Sequence, residues 1–316
     1  QALCYAYMYC ADHENINSIT IQITYCNLET EEIRRLKQDK TREELEEWFQ
    51  GLIHEYVKWA KYLYHHTLRR NESLRELQFP YEYRTGQKEL AVSVYRALAR
   101  RRNLFIQAPT GIGKTLSVVY PSLKSMGNGT GEKLFYLTAK TITGSVAENC
   151  FSLLRGQGML FTTVTVTAKE KLCPMEKTEC NPDACPCAKG HFDRVNDAVY
   201  ELWTTEEVYS REVIRAHAEK WQVCPFEMCL DLSIWVDGII CDYNYVFDPN
   251  VHLKRFFGEN ISGDHIFLID EAHNLVERGR EMYSAGISRQ SLVALRKKIR
   301  KRFSKLASAL DKANRQ

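Results

Sequence analysis

The sequence predicts an α/β protein built on a parallel sheet, and three observations predict it. Residues 103–107 (Asn-Leu-Phe-Ile-Gln) form a short apolar run leading into Ala108-Pro-Thr-Gly-Ile-Gly-Lys-Thr115. That succession is the strand, glycine turn and helix start of a phosphate cradle. A second apolar run, residues 265–269, ends in Asp270-Glu-Ala-His273. Further runs at 133–137 and 163–167 alternate with helical periodicity, the pattern of a doubly wound sheet.

Taken in order, residues 4–11 are aromatic-rich and predict a helix, and residues 19–25 alternate β-branched and polar side chains and predict a strand. Thr41 and Glu44 fit a capping box. Behind it, Leu45, Trp48, Phe49, Leu52, Tyr56, Trp59, Ala60 and Leu63 recur at helical spacing, which predicts a long amphipathic helix with its aromatic stripe in the core. The polar stretch 71–83 reads as irregular and marks a domain boundary. Beyond it a helix runs to about residue 102. Gln87 lies shortly upstream of the phosphate loop, placed either to hydrogen-bond an adenine or merely to cap that helix.

The chemistry of the loop follows from its residues. Gly111 and Gly113 permit positive φ, so that Thr110 to Thr115 can wrap an anion. Lys114 bridges the terminal phosphates of ATP, and Thr115 holds Mg²⁺. The first glycine of the stricter pattern is replaced by Ala108, so the second acidic element decides. There Asp270 completes the Mg²⁺ shell, Glu271 orients and deprotonates the attacking water, and His273 closes the set. Thr138 and Lys140, at the carboxyl end of the 133–137 strand, are placed to grip a nucleic-acid backbone.

Composition sets outer limits. The 316 residues are 44% apolar and carry a net charge of +3. That is ample for a core but too little charge to argue for nucleic acid unaided. No apolar run approaches the roughly 18 residues of a membrane span, and no secretion signal is visible, which predicts a cytoplasmic protein. The chain begins at Gln1 without an initiator Met, which reads as a cut or processed terminus.

Six of the eleven cysteines fall between Cys173 and Cys229. Cys4, Cys10, Cys26, Cys150 and Cys241 stand singly, as small buried hydrophobes do. The cluster reads Cys173-Pro, Cys180-Asn-Pro, Cys185-Pro-Cys187 and Cys224-Pro, with prolines that hold thiols on turns and helices expected over 194–203 and 206–220. Four thiolates suit zinc or an iron–sulfur cluster. The wide C-x6-C and C-x4-C spacing favours the cluster over zinc.

With these motifs in order, the chain resembles the XPD/DinG group of superfamily 2 helicases. The matching segments are Ala108-Pro-Thr-Gly-Ile-Gly-Lys-Thr115, Tyr136-Leu-Thr-Ala-Lys140, Cys224-Pro-Phe226, Cys241-Asp-Tyr-Asn-Tyr-Val-Phe-Asp-Pro249 and Asp270-Glu-Ala-His273. The resemblance implies a RecA-like motor domain carrying a 4Fe–4S insertion, with Cys173, Cys180, Cys185 and Cys224 as ligands and Cys187 as the rival of Cys185. It also implies a DNA path (single strand or fork) on which Tyr243 and Tyr245 stack bases. Gln1-x-x-x-Tyr5 with the helix and strand after it is similar to the end of a RecB-like PD-(D/E)XK nuclease.

The expected division is a small α/β nuclease remnant at 1–70, the first motor domain at 71–167 and 231–285, the cluster insertion at 168–230, and the start of an arch-like insertion at 286–316. A basic helix over 291–310 opens that last part, with Arg296, Lys297, Lys298, Arg300, Lys301 and Arg302 on one face, either solvated or turned to DNA. The expectation is an ATP-dependent 5′–3′ DNA helicase, of which this chain is a fragment without the second motor domain. The rival readings are a P-loop ATPase switch acting on a protein and an inert zinc module.

Overall fold

The computed structural model describes residues 1–314 except Glu29, Thr110 and Lys140, with the backbone alone of 141–143. The expectations placed on Thr110 and Lys140 therefore lie outside the described residues. Helix α1 (Ala2–Asp12) is followed by an antiparallel hairpin of β1 (Ser18–Cys26) and β2 (Ile33–Thr41). The first two elements match the sequence reading. The second strand escapes it, because Arg34, Arg35, Lys37 and Lys40 leave no apolar alternation to see.

Helix α2 (Arg42–Glu76) starts at the expected capping box, with the Glu44 N–H donating to Thr41 Oγ1 at 3.2 Å and the Thr41 N–H to Glu44 Oε2 at 2.9 Å. It then departs from expectation twice. Its stripe is not continuous core, since Leu45 and Trp59 are buried while Leu52, Tyr56 and Leu63 are exposed. The first turns pack on α1 and the hairpin around Ala6 and Cys10, the later turns pack elsewhere, and the middle spans between. Nor does the helix stop at a boundary near residue 71. It continues to Glu76, carrying Leu74 and then Leu77 into the core beside the phosphate-loop helix.

The sheet-forming part contains α3 (Gln87–Ala99), α4 (Lys114–Gly127), β3 (Lys133–Thr138), α5 (Thr141–Arg155) and β4 (Thr163–Thr165). The cysteine-bearing stretch holds α6 (Lys169–Leu172), α7 (His191–Thr205), β5 (Val208–Tyr209), α8 (Arg211–Trp221) and α9 (Pro225–Leu232). Then come β6 (Gly238–Asp242), α10 (Asn244–Phe247), α11 (Lys254–Phe257), β7 (His265–Ile269) and α12 (Leu275–Met282). Helices α13 (Arg289–Ile299) and α14 (Ser304–Ala313) close the chain. Where the sequence predicts one helix over 291–310, the chain turns at 300–303. Among the described residues no helix is long and apolar enough to cross a membrane.

Five strands form one parallel sheet in the order β5-β4-β6-β3-β7. All six residues of β3 are buried, as a central parallel strand requires. The expected helix over 206–220 begins only at Arg211, behind a Ser210 cap, because Val208 and Tyr209 join the sheet beside β4. The cysteine-bearing stretch is thus stitched into the motor sheet. Residues 103–107 do not form the expected buried strand. They are irregular, with Leu104, Phe105 and Ile106 exposed by 42%, 92% and 40%. An apolar run becomes a strand only where a ladder and a covering layer fix it, and here neither does.

Helix α2 is fastened to this sheet by a buried charge. Asp237, just before β6, accepts from Arg70 Nη1 at 2.9 Å, from the Thr162 N–H and hydroxyl at 2.8 Å each, and meets His66 Nε2 at 2.8 Å. Burial opposes its ionisation, but His66, Arg70 and the Thr162 N–H more than offset that and hold the carboxyl below the usual range. Trp59 adds an aromatic contact, 4.5 Å from Trp235 and 5.9 Å from Trp203 between ring centres.

Removing one partner of such a pair strands the other charge, so Asp237→Asn is expected to destabilise the fold by roughly 3–5 kcal/mol. Arg101→Gln, on an exposed pair with Asp264, changes it by about 1 kcal/mol or less. Urea melts of both variants check the contrast. Because the folded Asp237 carboxyl ionises below its unfolded value, its stabilisation is complete above about pH 4 and is lost as pH falls further.

Candidate functional site

The phosphate loop keeps its glycines for steric reasons. Gly111 and Gly113 have φ of 87° and 77°, and a Cβ on Gly113 would lie 2.8 Å from Gln87 Nε2. Gln87 is buried beneath the loop, with Nε2 donating to the Ile112 carbonyl at 3.0 Å and Oε1 accepting from the Arg84 N–H at 3.0 Å. Its amide braces the loop, and Gly86 rather than Gln87 is the helix cap. The Arg84 guanidinium donates to the Gly111 carbonyl. Lys114 begins α4 with Nζ 3.3 Å from the Ala108 carbonyl.

The acidic element stands where the sheet delivers it. The Asp270 N–H donates to the Leu137 carbonyl at 2.9 Å, extending the ladder one residue past β7. Glu271 adopts a left-handed conformation with φ of 48°, and its carboxylate lies 3.3 Å from His273 Nδ1. Burial and the neighbouring Glu271 charge raise the Asp270 carboxyl above its ordinary value, while Lys114 pulls the other way. Lys114 is therefore within electrostatic reach of Asp270.

Tyr136 joins the two halves, and sequence reasoning missed it. From the middle of β3 its hydroxyl faces Thr115 and Asp270, and burial and the Asp270 charge push the phenol well above its usual range. In the sequence it passes for one more core residue. The visible signal is a tyrosine in a strand whose register neighbour, Leu268, lies two residues before Asp270.

Tyr243 corrects an expectation. It is fully buried, so no base can stack on it. Its hydroxyl donates to the Asp270 carbonyl and lies 3.1 Å from that of Glu271, fixing the acidic turn from behind. Tyr245 is half-buried and lines a cavity of about 750 Å³ with Thr138, Thr165, Lys169, Asp242 and Arg255. The structure thus brings Thr138 and Tyr245 together at the carboxyl edge of the sheet. Thr165, Lys169 and Arg255 join them unannounced by any motif.

The cysteines separate into two kinds. Burial pushes Cys229 up to about 12, and raises Cys241 further, so both are inert core thiols. Cys224 occupies the N-cap position of α9, where burial raises its thiol while the nearby Glu227 and Phe226 N–H groups pull it the other way. Cys187 is raised first by burial and then by the charges of Cys185, Cys224 and Cys173, and it hydrogen-bonds Cys185. Cys180 is exposed and bonds Lys169. A tetrahedral zinc with bonds of ~2.3 Å needs sulfurs within about 4 Å of one another. Among the described residues no three such donors stand close enough to share one ion.

Comparison with known proteins supplies the lineage. The DEAD_2 family model matches residues 159–292. The chain is 28% identical over 100 residues to the Fanconi anemia group J protein homolog of Gallus gallus, covering 32% of this chain and 7% of that one. It is 23% identical to the Regulator of telomere elongation helicase 1 homolog of Caenorhabditis briggsae, covering 76% and 28%. It is 22% identical to the General transcription and DNA repair factor IIH helicase subunit XPD of Arabidopsis thaliana, covering 71% and 34%. The chain therefore spans about a third or less of the length of these relatives. Among solved structures, one called Truncated XPD matches with a TM-score of 0.50 at 21% identity, covering 72% of this chain and 64% of that one. In fold, phosphate loop and acidic turn the chain is thus similar to the XPD-like helicases of superfamily 2.

Proposed function

We propose that this chain carries the ATP site of a DNA helicase that tracks 5′ to 3′ in repair or replication. One observation carries the reading: Thr115 of the phosphate loop and Asp270 of the acidic turn both act on the Tyr136 hydroxyl, the closeness that a shared metal–nucleotide site needs. The start of α4 offers free N–H groups to the phosphates, and Lys114 adds a point charge to the terminal oxygens. Thr115 and Asp270 would hold Mg²⁺, which would supply neutralisation of the phosphate charge. Glu271, steadied by His273, takes the proton of the attacking water at its carboxylate.

Strand β3 also carries Thr138, two residues beyond Tyr136 and on the same face of the strand. A shift of the phosphate loop after hydrolysis is felt at Tyr136 and passed along a rigid strand to the cavity of Thr138 and Tyr245, where a DNA strand is gripped. Cys173, Cys180, Cys185 and Cys224 are the proposed ligands of a 4Fe–4S cluster, with Cys187 the rival for one position. What supports such a group is that Cys185, Cys224 and Cys173 all lie near enough to act on Cys187, with Lys169 beside Cys180 and Cys224 to offset thiolate charge. Held by these thiols, a cluster would cross-link the proline-rich loop and so stiffen it.

Lys114→Ala is expected to lower oligonucleotide-stimulated phosphate release by about 100-fold or more, and an unchanged rate overturns the assignment. Tyr136→Phe removes only a hydroxyl. A bond of about 1 kcal/mol predicts a roughly fivefold higher Mg²⁺ requirement for half-maximal turnover. For the cysteines, Cys224→Ser in anaerobically purified protein should strip iron and visible absorbance together. Cys187→Ser retains both if Cys185 is the ligand, and iron analysis decides.

A further inference from the structure

We propose that the turn between α13 and α14 is a second DNA contact, which binds the phosphates of a single strand and stacks a base on Phe303. Read as sequence, 291–310 is one basic helix whose cations spread along a face. In the structure the chain reverses at 300–303, and that reversal collects Lys298, Arg300, Lys301, Arg302 and Lys305 at one tip, all exposed. Residues 283–310 contain no Asp or Glu. The acid that does meet these helices, Asp311, is engaged by Arg296, away from the tip.

Five like charges on two short helices repel one another, and little apolar burial opposes them: Leu292 and Ala307 are buried, while Leu295 and Leu306 are about half exposed. A polyanion at the tip relieves that repulsion and releases its own counterions. Phe303 sits at the same turn with 59% of its surface exposed. An exposed aromatic set among cations is how proteins hold single strands without reading their sequence. A cavity of about 370 Å³ lined by Arg289, Val293 and Lys297 continues the cationic surface along α13 and gives the strand somewhere to run. The charges alone would accept any polyanion; Phe303 selects nucleic acid over an acidic protein. The proposal rests on the DNA reading above but places the contact outside both the ATP site and the Thr138–Tyr245 cavity.

The test is fluorescence anisotropy of dye-labelled oligothymidylate with the whole chain at two salt concentrations. With all three turn cations neutralised (Arg300→Gln, Lys301→Gln and Arg302→Gln together), affinity is expected to fall at least about tenfold, and the slope of log affinity against log salt to flatten by about 2. Phe303→Ala is expected to weaken oligothymidylate about fivefold or more and to leave heparin binding unchanged. Circular dichroism melts stay at the wild-type value for both, since the altered side chains are exposed. Wild-type affinity and slope in the triple variant overturn the proposal, as does a Phe303→Ala variant that loses heparin as much as oligothymidylate, or a wild-type protein that prefers polyglutamate. A wild-type chain that does not bind oligothymidylate at all instead overturns the DNA reading on which the proposal rests.

Discussion

The burial of β3 at all six positions is the constraint from which the site is built. Hydrogen-bonded to β6 on one side and β7 on the other, the strand cannot slip by a residue without turning Tyr136 away from Thr115 and Asp270. Its start is pinned as well. Lys133 sends Nζ to the carbonyls of Ser233 and Ile234 at 3.0 and 3.1 Å, and to that of Val236, just past the end of α9. There an ammonium satisfies carbonyls the helix leaves free. Burial draws this lysine down to about 8, which still leaves it charged near neutrality. An ionised group is kept inside the protein because it sets the register of the strand that carries the chemistry.

The second brace comes from outside the motor sequence. Most of α2 lies in the part expected to belong to a nuclease remnant, yet its last turns give the motor Trp59, His66, Arg70 and Leu74. Arg70 also reaches the Glu132 carbonyl, next to β3. The sheet's amino edge is therefore held by a helix, and the carboxyl edge, where the acidic turn and the cavity lie, is left to loops. Open α/β sheets place ligands at that carboxyl edge.

How far the sequence discloses this depends on whether a signal is local. The β7 strand was legible at its observed limits because a run of four apolar residues behind His265 stops at Asp270, and the capping box of α2 because both partners lie three residues apart. The strand β2 was illegible because its stability comes from pairing with β1 rather than from its own pattern. Residues 103–107 mislead in the opposite sense, being apolar enough for a core strand and yet uncovered. Tyr243 shows the same limit at the site. A tyrosine beside an Asp and an Asn reads as an exposed loop aromatic, but burial turns its hydroxyl to the backbone of Asp270 and Glu271. Which face of a turn points inward is a tertiary fact, and no spacing encodes it.

Lys169 links the cysteine loop to the carboxyl edge. It bonds Cys180, feels the charge of Cys224, lies 3.9 Å from Glu227 and 5.5 Å from the Phe226 ring, and lines the Thr138–Tyr245 cavity. Phe226 and Leu230 line the same cavity from α9, and Arg255 crosses to Asp231 at 2.7 Å. The loop and the cavity thus share one wall. Lys169 stands between the sulfurs and the cavity, touching Cys180 and Glu227 on one side and lining the groove on the other. The cysteine loop through Lys169 and strand β3 through Thr138 therefore reach the same cavity from opposite sides of the sheet order.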